Sequence, residues 1–175
     1  MINKKPLALG LSLFITLMIL FIYKKMPDFS ARSINWANEV SADTINDSWV
    51  TWKTNYSNHN PTATYETFML AVKSGEYKTL SIEEFLTLKV ENQRLECYLH
   101  AKSAEEAYPP EDRPRHGDDI SSVKYFLQTK SPVSPILVAR IHKNNSTHYI
   151  KLDGVHRLIA TAIKKSPIKV LFVNL

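Results

Sequence analysis

Residues 148–160 read HYIKLDGVHRLIA, and this stretch decides the fold of the chain. Residues 148–152 predict a strand, and a helix is predicted to begin just after Gly154, with His156 and Arg157 in its first turn. A glycine at such a junction lets the backbone approach a ligand, and a helix N-terminus offers N–H groups and partial positive charge to an anion. An imidazole and a guanidinium added there favour a phosphate or nucleotide site. The alternative is an ordinary strand-to-helix turn with solvated charges.

Around this turn, the last forty or so residues predict a small mixed sheet. Residues 136–141 and 148–152 predict two antiparallel strands, because turn-forming residues lie between them. Residues 155–165 predict a helix, and residues 168–173 predict a final strand apolar enough to be central. The helix is expected to pack on one face of the sheet through Leu158, Ile159 and Ala162. The second strand, this helix and the last strand are expected to form a crossover that places the site at a strand's carboxyl end, where α/β sheets bind ligands.

The middle of the chain predicts helices. One is expected over residues 64–73. Ser81 and Glu84 form a capping box that starts a second helix, which is predicted to reach about residue 107, either unbroken or with one break. Cys97, the only cysteine, falls in that helical pattern. It is expected to be a small core residue, and a single cysteine excludes an intrachain disulfide.

A loop rich in charged residues at 109–117 separates these helices from the C-terminal part. Asp118 or Asp119 is then expected to cap a short helix that ends near Gln128. Ahead of all these helices, residues 26–62 predict a polar juxtamembrane region that holds the three tryptophans.

The N-terminus predicts a membrane anchor. Residues 6–23 contain no charged residue, and a pair of lysines stands on each side of them. About 18–20 apolar residues are what a hydrocarbon core of ~30 Å requires, and no small-x-small cleavage site follows. We therefore expect residues 1–25 to hold an uncleaved, single-pass signal anchor. Both orientations stay open, because the lysine pairs cancel and the four N-x-S/T sequons support a lumenal body only weakly.

Composition leaves room for one further domain. Behind the anchor about 150 residues remain, enough for a single core, and we assign residues 63–175 to that domain. The net charge is +5. The positive charge is concentrated from residue 136 onwards, where Asp153 is the only acidic residue. Such a basic part suits phosphate, nucleotide or nucleic acid, although an ordinary solvated surface gives the same pattern.

Three pieces of sequence together resemble the ParB/sulfiredoxin superfamily. They are SPILV at 134–138, LDGVHRLIA at 152–160 and PIKV at 167–170, with the predicted hairpin between the first two. The resemblance covers roughly residues 113–175, about a third of the chain. It implies an α+β fold in which a small mixed sheet with helices follows the anchor and the helical middle region.

The resemblance also implies a nucleotide site. In that superfamily the Gly-x-His-Arg turn holds nucleotide phosphates, so Gly154, His156 and Arg157 are expected to bind ATP, ADP or CTP. The helix upstream often adds polar contacts, and an arginine before it can join. The matching residues are Ser121, Ser122, Lys124, Arg113 and Arg115.

This chain departs from the best-known members of the superfamily. Sulfiredoxins carry a reactive cysteine where Val155 stands, so reduction of a sulfinic acid by that route is not expected. The sequence ends directly after the core, so a helix-turn-helix domain of the partition type is not expected either. Free serine kinases belong to the same superfamily. The resemblance to them implies that Asp153 holds Mg²⁺ or orients a hydroxyl, with Glu111 or Asp112 as the base. The alternative for Asp153 is a simple helix cap.

Two classes of function follow from the sequence. The first is a membrane-anchored enzyme that binds a nucleotide or another phosphate-bearing small molecule, such as a phosphotransferase or nucleotidase. Its candidate catalytic residues are Asp153 and His156, and Mg²⁺ is a further expected ligand. The second is a non-catalytic module that docks a protein or nucleic-acid partner at the membrane, nucleic acid being the less favoured of the two.

Overall fold

A computed structural model describes residues 33–91 and 94–175, and Ser33–Leu175 form one compact unit. The predicted anchor lies outside the described residues. Within them, no helix is long and apolar enough to cross a membrane. The unit begins well before residue 63, so much of the segment predicted to be juxtamembrane lies within it.

A mixed four-stranded sheet forms the centre of an α+β fold. Its strands are β1 (Glu76–Leu80), β2 (Ile136–Lys143), β3 (Ser146–Asp153) and β4 (Ile168–Asn174). Their order is β1-β4-β2-β3; β2 and β4 run parallel, and the two outer pairs run antiparallel. The predicted hairpin and the central position of the last strand are confirmed. Strand β1 has no counterpart in the sequence prediction.

Six helices surround this sheet in the part of the chain that is described. They are α1 (Ala42–Asn55), α2 (Tyr65–Lys73), α3 (Ile82–Thr87), α4 (Leu95–Tyr98), α5 (Gly117–Gln128) and α6 (Val155–Lys164), with a 3-10 turn at Arg113–Arg115. Capping boxes start α2 at Thr64 and α3 at Ser81, the second as predicted. Among the described residues, no side chain caps the start of α5. The prediction that Asp118 or Asp119 caps this helix is therefore wrong.

The long helix predicted after Ser81 is also wrong, because α3 ends at Thr87. The chain turns at Lys89, whose φ is 49°, and Glu91 then pairs with the outer strand β3: its N–H donates to the Tyr149 carbonyl at 2.7 Å. Helix α4 is a single turn with only Leu95 buried. Cys97 is therefore exposed rather than part of the core.

Helices cover both faces of the sheet. On one face, Trp52 of α1 and Phe68 of α2 are fully buried against Leu137 and Ala139 of β2. The intervening side chain Val138 faces the other layer, in which Phe85, Leu95 and Leu158 are buried, as the period of two along a strand requires. The chain ahead of residue 63 thus supplies Trp52 to the core on the first face.

Helix α6 packs between the sheet and α5. Leu158 and Ala162 contact the sheet, as predicted. Ile159 instead packs in a separate cluster with Ile120 and Val123 of α5. Because it is covered on two sides, α6 buries six consecutive residues from Arg157 to Ala162.

The predicted crossover is wrong in its strand directions. Strand β2 lies between β3 and β4, and β4 runs parallel to β2 and therefore antiparallel to β3. Asp153 at the end of β3 pairs with Leu137 near the start of β2, whose neighbour Ile136 pairs with Val170 of β4. The end of β3 therefore lies beside the beginnings of β2 and β4, and the rule for parallel α/β sheets does not place the site. The turn after β3 has to be judged by its own geometry.

Candidate functional site

A glycine turn joins β3 to α6. Gly154 has φ 106° and ψ 25°, in the left-handed region. A Cβ atom there would lie 3.0 Å from Cγ1 of Ile136 and 3.4 Å from Nε of Arg157. Both the backbone conformation and the space therefore require glycine. The first N–H groups of α6 have no acceptor within the helix, and no side chain among the described residues caps them.

The Arg157 guanidinium is held by protein groups. Its Nη1 donates to Oγ1 of Thr44 at 3.1 Å and to the carbonyl of Ser134 at 2.9 Å, and its Nη2 pairs with Oδ2 of Asp153. The Arg157 side chain is only 7% exposed. These bonds tie the turn to the start of α1 and to the strand entry at Ser134. Asp153 thus accepts from Arg157 and does not cap α6.

A second buried cation lies close to this pair. Lys151 is 7% exposed, and its burial lowers the pKa of its ammonium group. The positive charge of Arg157 lowers that pKa as well, and the carboxylate of Asp153 raises it. Asp153 therefore pairs with Arg157 and also acts through its charge on Lys151.

His156 belongs to a chain of three side chains. Its Nε2 lies 2.8 Å from Oδ1 of Asp119, and Nδ1 of His116 lies 2.7 Å from Oδ2 of the same carboxylate. The hydrogen bond from His116, followed by that from His156, lowers the pKa of Asp119. The ring of His116 stacks on Tyr108, with ring centroids 4.9 Å apart. Burial, followed by the charge of Asp119, raises the pKa of Tyr108 to about 12.

The turn opens into a cavity of about 430 Å³. The residues that line it come from the start of α1, the end of α5, the segment before β2 and the turn itself. They are Ser41, Asp43, Thr44, Asp47, Tyr125, Phe126, Pro132, Val133, Ser134, Asp153, Gly154, Val155, His156 and Arg157. The cavity thus combines an uncapped helix start, aromatic rings and carboxylates.

The structure brings together Asp153, Gly154, His156 and Arg157 from the predicted site. The predicted polar residues of α5 lie elsewhere. Ser121 donates to the Gly117 carbonyl at 2.8 Å, and Nζ of Lys124 lies 2.5 Å from Oε1 of Glu105. Ser122 is partly buried in the same helix and does not line the cavity. Helix α5 contributes Tyr125 and Phe126 to the cavity instead.

The charged residues before α5 do not reach the cavity either. Nε of Arg113 donates to the carbonyls of Glu105 and Tyr108, at 2.9 and 3.2 Å, and so fixes the preceding loop. Arg115 and Glu111 are exposed and Asp112 is partly buried. None of these four predicted residues lines the cavity.

Sequence reasoning missed the contribution of α1 and of Asp119. Ser41 accepts a hydrogen bond from the Thr44 backbone N–H as the N-cap of α1, and Asp43 follows in the first turn; a serine N-cap followed by an acidic residue is a recognisable helix start. That signal could have revealed the helix, but not its contact with Arg157. No local signal joins Asp119 to His156, which follows 37 residues later.

No three His, Cys, Asp or Glu side chains of the described residues lie close enough together to hold a metal ion. The sequence matches no protein-family model, and neither a curated protein nor a solved structure matches it. The function therefore has to be argued from the cavity itself.

Proposed function

We propose that this protein is a membrane-anchored domain that binds the phosphate groups of a nucleotide in the cavity at the start of α6. The observation that carries this proposal is the uncapped first turn of α6, which opens into a cavity of about 430 Å³. Such a turn binds an anion through backbone N–H groups and the helix dipole. The cavity volume lies within the range usual for small-molecule sites, ~300–1,000 Å³.

The side chains at the turn have different roles in phosphate binding. His156 lines the cavity, and Nδ1, the ring nitrogen that Asp119 does not engage, can accept a hydrogen bond from a ligand. Arg157 acts as a positioning residue, because a phosphate would have to displace Thr44, Ser134 or Asp153 to reach its Nη atoms. Because Arg157 is paired with Asp153, the attraction of an anion to the turn comes from the first N–H groups of α6.

The rest of the cavity suits a nucleoside. Tyr125 is 57% exposed and lines the cavity beside Phe126, so a base can stack on an aromatic ring. Asp43 and Asp47 are exposed carboxylates from the first two turns of α1. They repel a bare phosphate only weakly because water and salt screen them, and they can accept hydrogen bonds from ribose hydroxyl groups.

These contacts set the expected affinity. A helix N-terminus stabilises an anion by up to ~2 kcal/mol, a hydrogen bond between the ligand and Nδ1 of His156 adds about 1 kcal/mol, and one stacked base adds ~1–3 kcal/mol. A total near 5 kcal/mol corresponds to a Kd of about 0.1–1 mM.

A titration of the full chain in detergent with pyrophosphate, a nucleoside and the matching nucleotide tests the proposal. We expect the nucleotide to bind most tightly and His156→Ala to weaken it by about fivefold to tenfold. His100→Ala is the matched control, because His100 is exposed and does not line the cavity. Equal affinity for nucleoside and nucleotide would show that the phosphate is not recognised.

One observation favours a second function. Tyr125 and Val155 are exposed apolar residues that both line the cavity, at 57% and 39%, and exposed aromatic residues are enriched where proteins bind partners. A non-catalytic module that docks a peptide there is therefore the second candidate. It predicts that Tyr125→Ala abolishes partner binding and that no nucleotide competes.

A further inference from the structure

The His116–Asp119–His156 chain has the arrangement of a positioned acid–base group. Since the pKa of Asp119 lies below its ordinary value, Asp119 is a carboxylate at neutral pH and can only accept hydrogen bonds. Both histidines must therefore donate to it: His116 through Nδ1–H and His156 through Nε2–H. In neutral His156 this leaves Nδ1 without a proton, as the nitrogen that can accept one.

Three contacts fix this geometry. Asp119 lies in the first turn of α5, and its Oδ2 accepts a hydrogen bond from Nδ1 of His116. The ring of His116 in turn stacks on Tyr108. His156 stands in the first turn of α6 and lines the cavity. The two helices pack against each other through the buried residues Val123 and Ile159. The carboxylate therefore has little freedom to leave the imidazole.

We propose that Asp119 is a positioning residue which holds His156 as the proton acceptor for a water molecule that attacks the terminal phosphate of the bound nucleotide. This proposal rests on the proposed function, since it needs the nucleotide in the same cavity. The water oxygen forms a bond to the terminal phosphorus, and the bond from that phosphorus to the bridging oxygen breaks. The bridging oxygen keeps the electron pair, and the water proton goes to Nδ1 of His156 and then to solvent. The products are inorganic phosphate and a nucleotide with one phosphate fewer.

The negative charge of Asp119 adds to the reactivity of His156. When Nδ1 takes the proton, the imidazolium forms beside a carboxylate that already accepts from its Nε2, which stabilises the charged form. The other titratable or charged groups around His156 come from α1, β3, α5, the loop before α5, α4 and its own helix. They are Asp43, Asp47, Asp153, Tyr125, His116, Tyr108, Tyr98 and Arg157.

The first test determines the tautomer of His156 in the full chain by nitrogen-15 NMR, with the signal assigned by its loss in His156→Ala. We expect a protonated Nε2 and an unprotonated Nδ1 at neutral pH. In Asp119→Asn we expect a mixture of the two tautomers, since the amide can donate as well as accept. Asp118→Asn is the matched control, because Asp118 is the exposed neighbour in the same helical turn. A wild-type His156 with its proton on Nδ1 would overturn the proposal without any variant.

The second test measures phosphate release against pH together with nucleotide affinity. We expect a roughly 100- to 10,000-fold loss of kcat in His156→Ala. In Asp119→Asn we expect a loss of kcat of at least about tenfold with little change in KM. Nucleotide binding without phosphate release would overturn this inference and leave the proposed function standing. A chain that neither binds nucleotide nor releases phosphate would overturn both. Unchanged kcat and tautomer in Asp119→Asn would show that Asp119 does not position His156, and would overturn the proposal.

Discussion

Replacing Arg157 with alanine should destabilise the protein strongly, because this arginine ties three parts of the chain together. The substitution removes its bonds to Thr44, Ser134 and Asp153. Removing one partner of a buried ion pair costs about 3–5 kcal/mol, because the other charge is left uncompensated. Here the Asp153 side chain is 27% exposed and water can reach it, so we expect about 3 kcal/mol.

Urea denaturation of the full chain in detergent, followed by tryptophan fluorescence, measures this loss. Trp52 is fully buried and should report the unfolding of the core. With a slope of about 2 kcal/mol per M of urea, the midpoint should fall by about 1.5 M. Arg115→Ala is the matched control: Arg115 is exposed, and the change should stay within about 0.5 kcal/mol.

A double-mutant cycle separates the ion pair from the other contacts of Arg157. Asp153→Asn combined with Arg157→Ala should cost less than the sum of the single changes, with a coupling energy of about 1–3 kcal/mol. If Arg157→Ala lowers the urea midpoint of unfolding no more than Arg115→Ala does, the contacts of Arg157 do not stabilise the turn. The positioning role assigned to Arg157 would then be wrong.

The remaining predictions concern the turn, the buried lysine, acid stability and the anchor. Gly154→Ala should destabilise the domain by about 1–3 kcal/mol in thermal unfolding, since alanine meets both φ 106° and the side chain of Ile136. Lys151→Met should raise the melting temperature by a few degrees. Because burial lowers the Lys151 pKa, the stability of the wild type should rise with pH between that lowered value and the unfolded-state value, and Lys151→Met should lose this rise. Because the pKa of Asp119 is lowered in the folded state, the charged carboxylate stabilises the fold above the unfolded-state pKa, and this stabilisation is lost as the pH falls through the folded-state pKa. The free energy of unfolding of Asp119→Asn should therefore depend less on pH in that range. Carbonate extraction should leave the full chain in the membrane fraction; release into the soluble fraction, or a mature N-terminus near Ser33, would refute an uncleaved anchor.

The parts of the fold that the sequence predicted rest on local signals. The hairpin was predictable because turn-forming residues separate two apolar strands, and Asn144 and Asn145 indeed adopt positive φ. The capping box at Ser81 identified the start of α3. Strand β1 was not predictable in this way: its five residues are mostly exposed and show no apolar alternation. It becomes a strand only by pairing with β4.

In the candidate site, too, local features were predictable from the sequence and contacts between distant residues were not. The turn from Asp153 to Arg157 was predictable because glycine, the helix start and the two cations are adjacent in sequence. The partners of those side chains were not, since Thr44 lies 113 residues from Arg157 and Asp119 lies 37 residues from His156. Both partners changed the interpretation: Thr44 helps to hold Arg157 away from a ligand, and Asp119 fixes the ring of His156.

Isothermal titration calorimetry of the full chain in detergent with ATP, ADP, CTP and GTP, each with and without Mg²⁺, shows whether the cavity at the start of α6 binds a nucleotide. We expect at least one nucleotide to bind with a Kd of about 0.1–1 mM. We also expect Gly154→Ala, at the uncapped start of α6, to weaken that binding while fluorescence still shows a folded core. If no nucleotide binds in the millimolar range, the cavity at the start of α6 is not a nucleotide site and the proposed function is wrong.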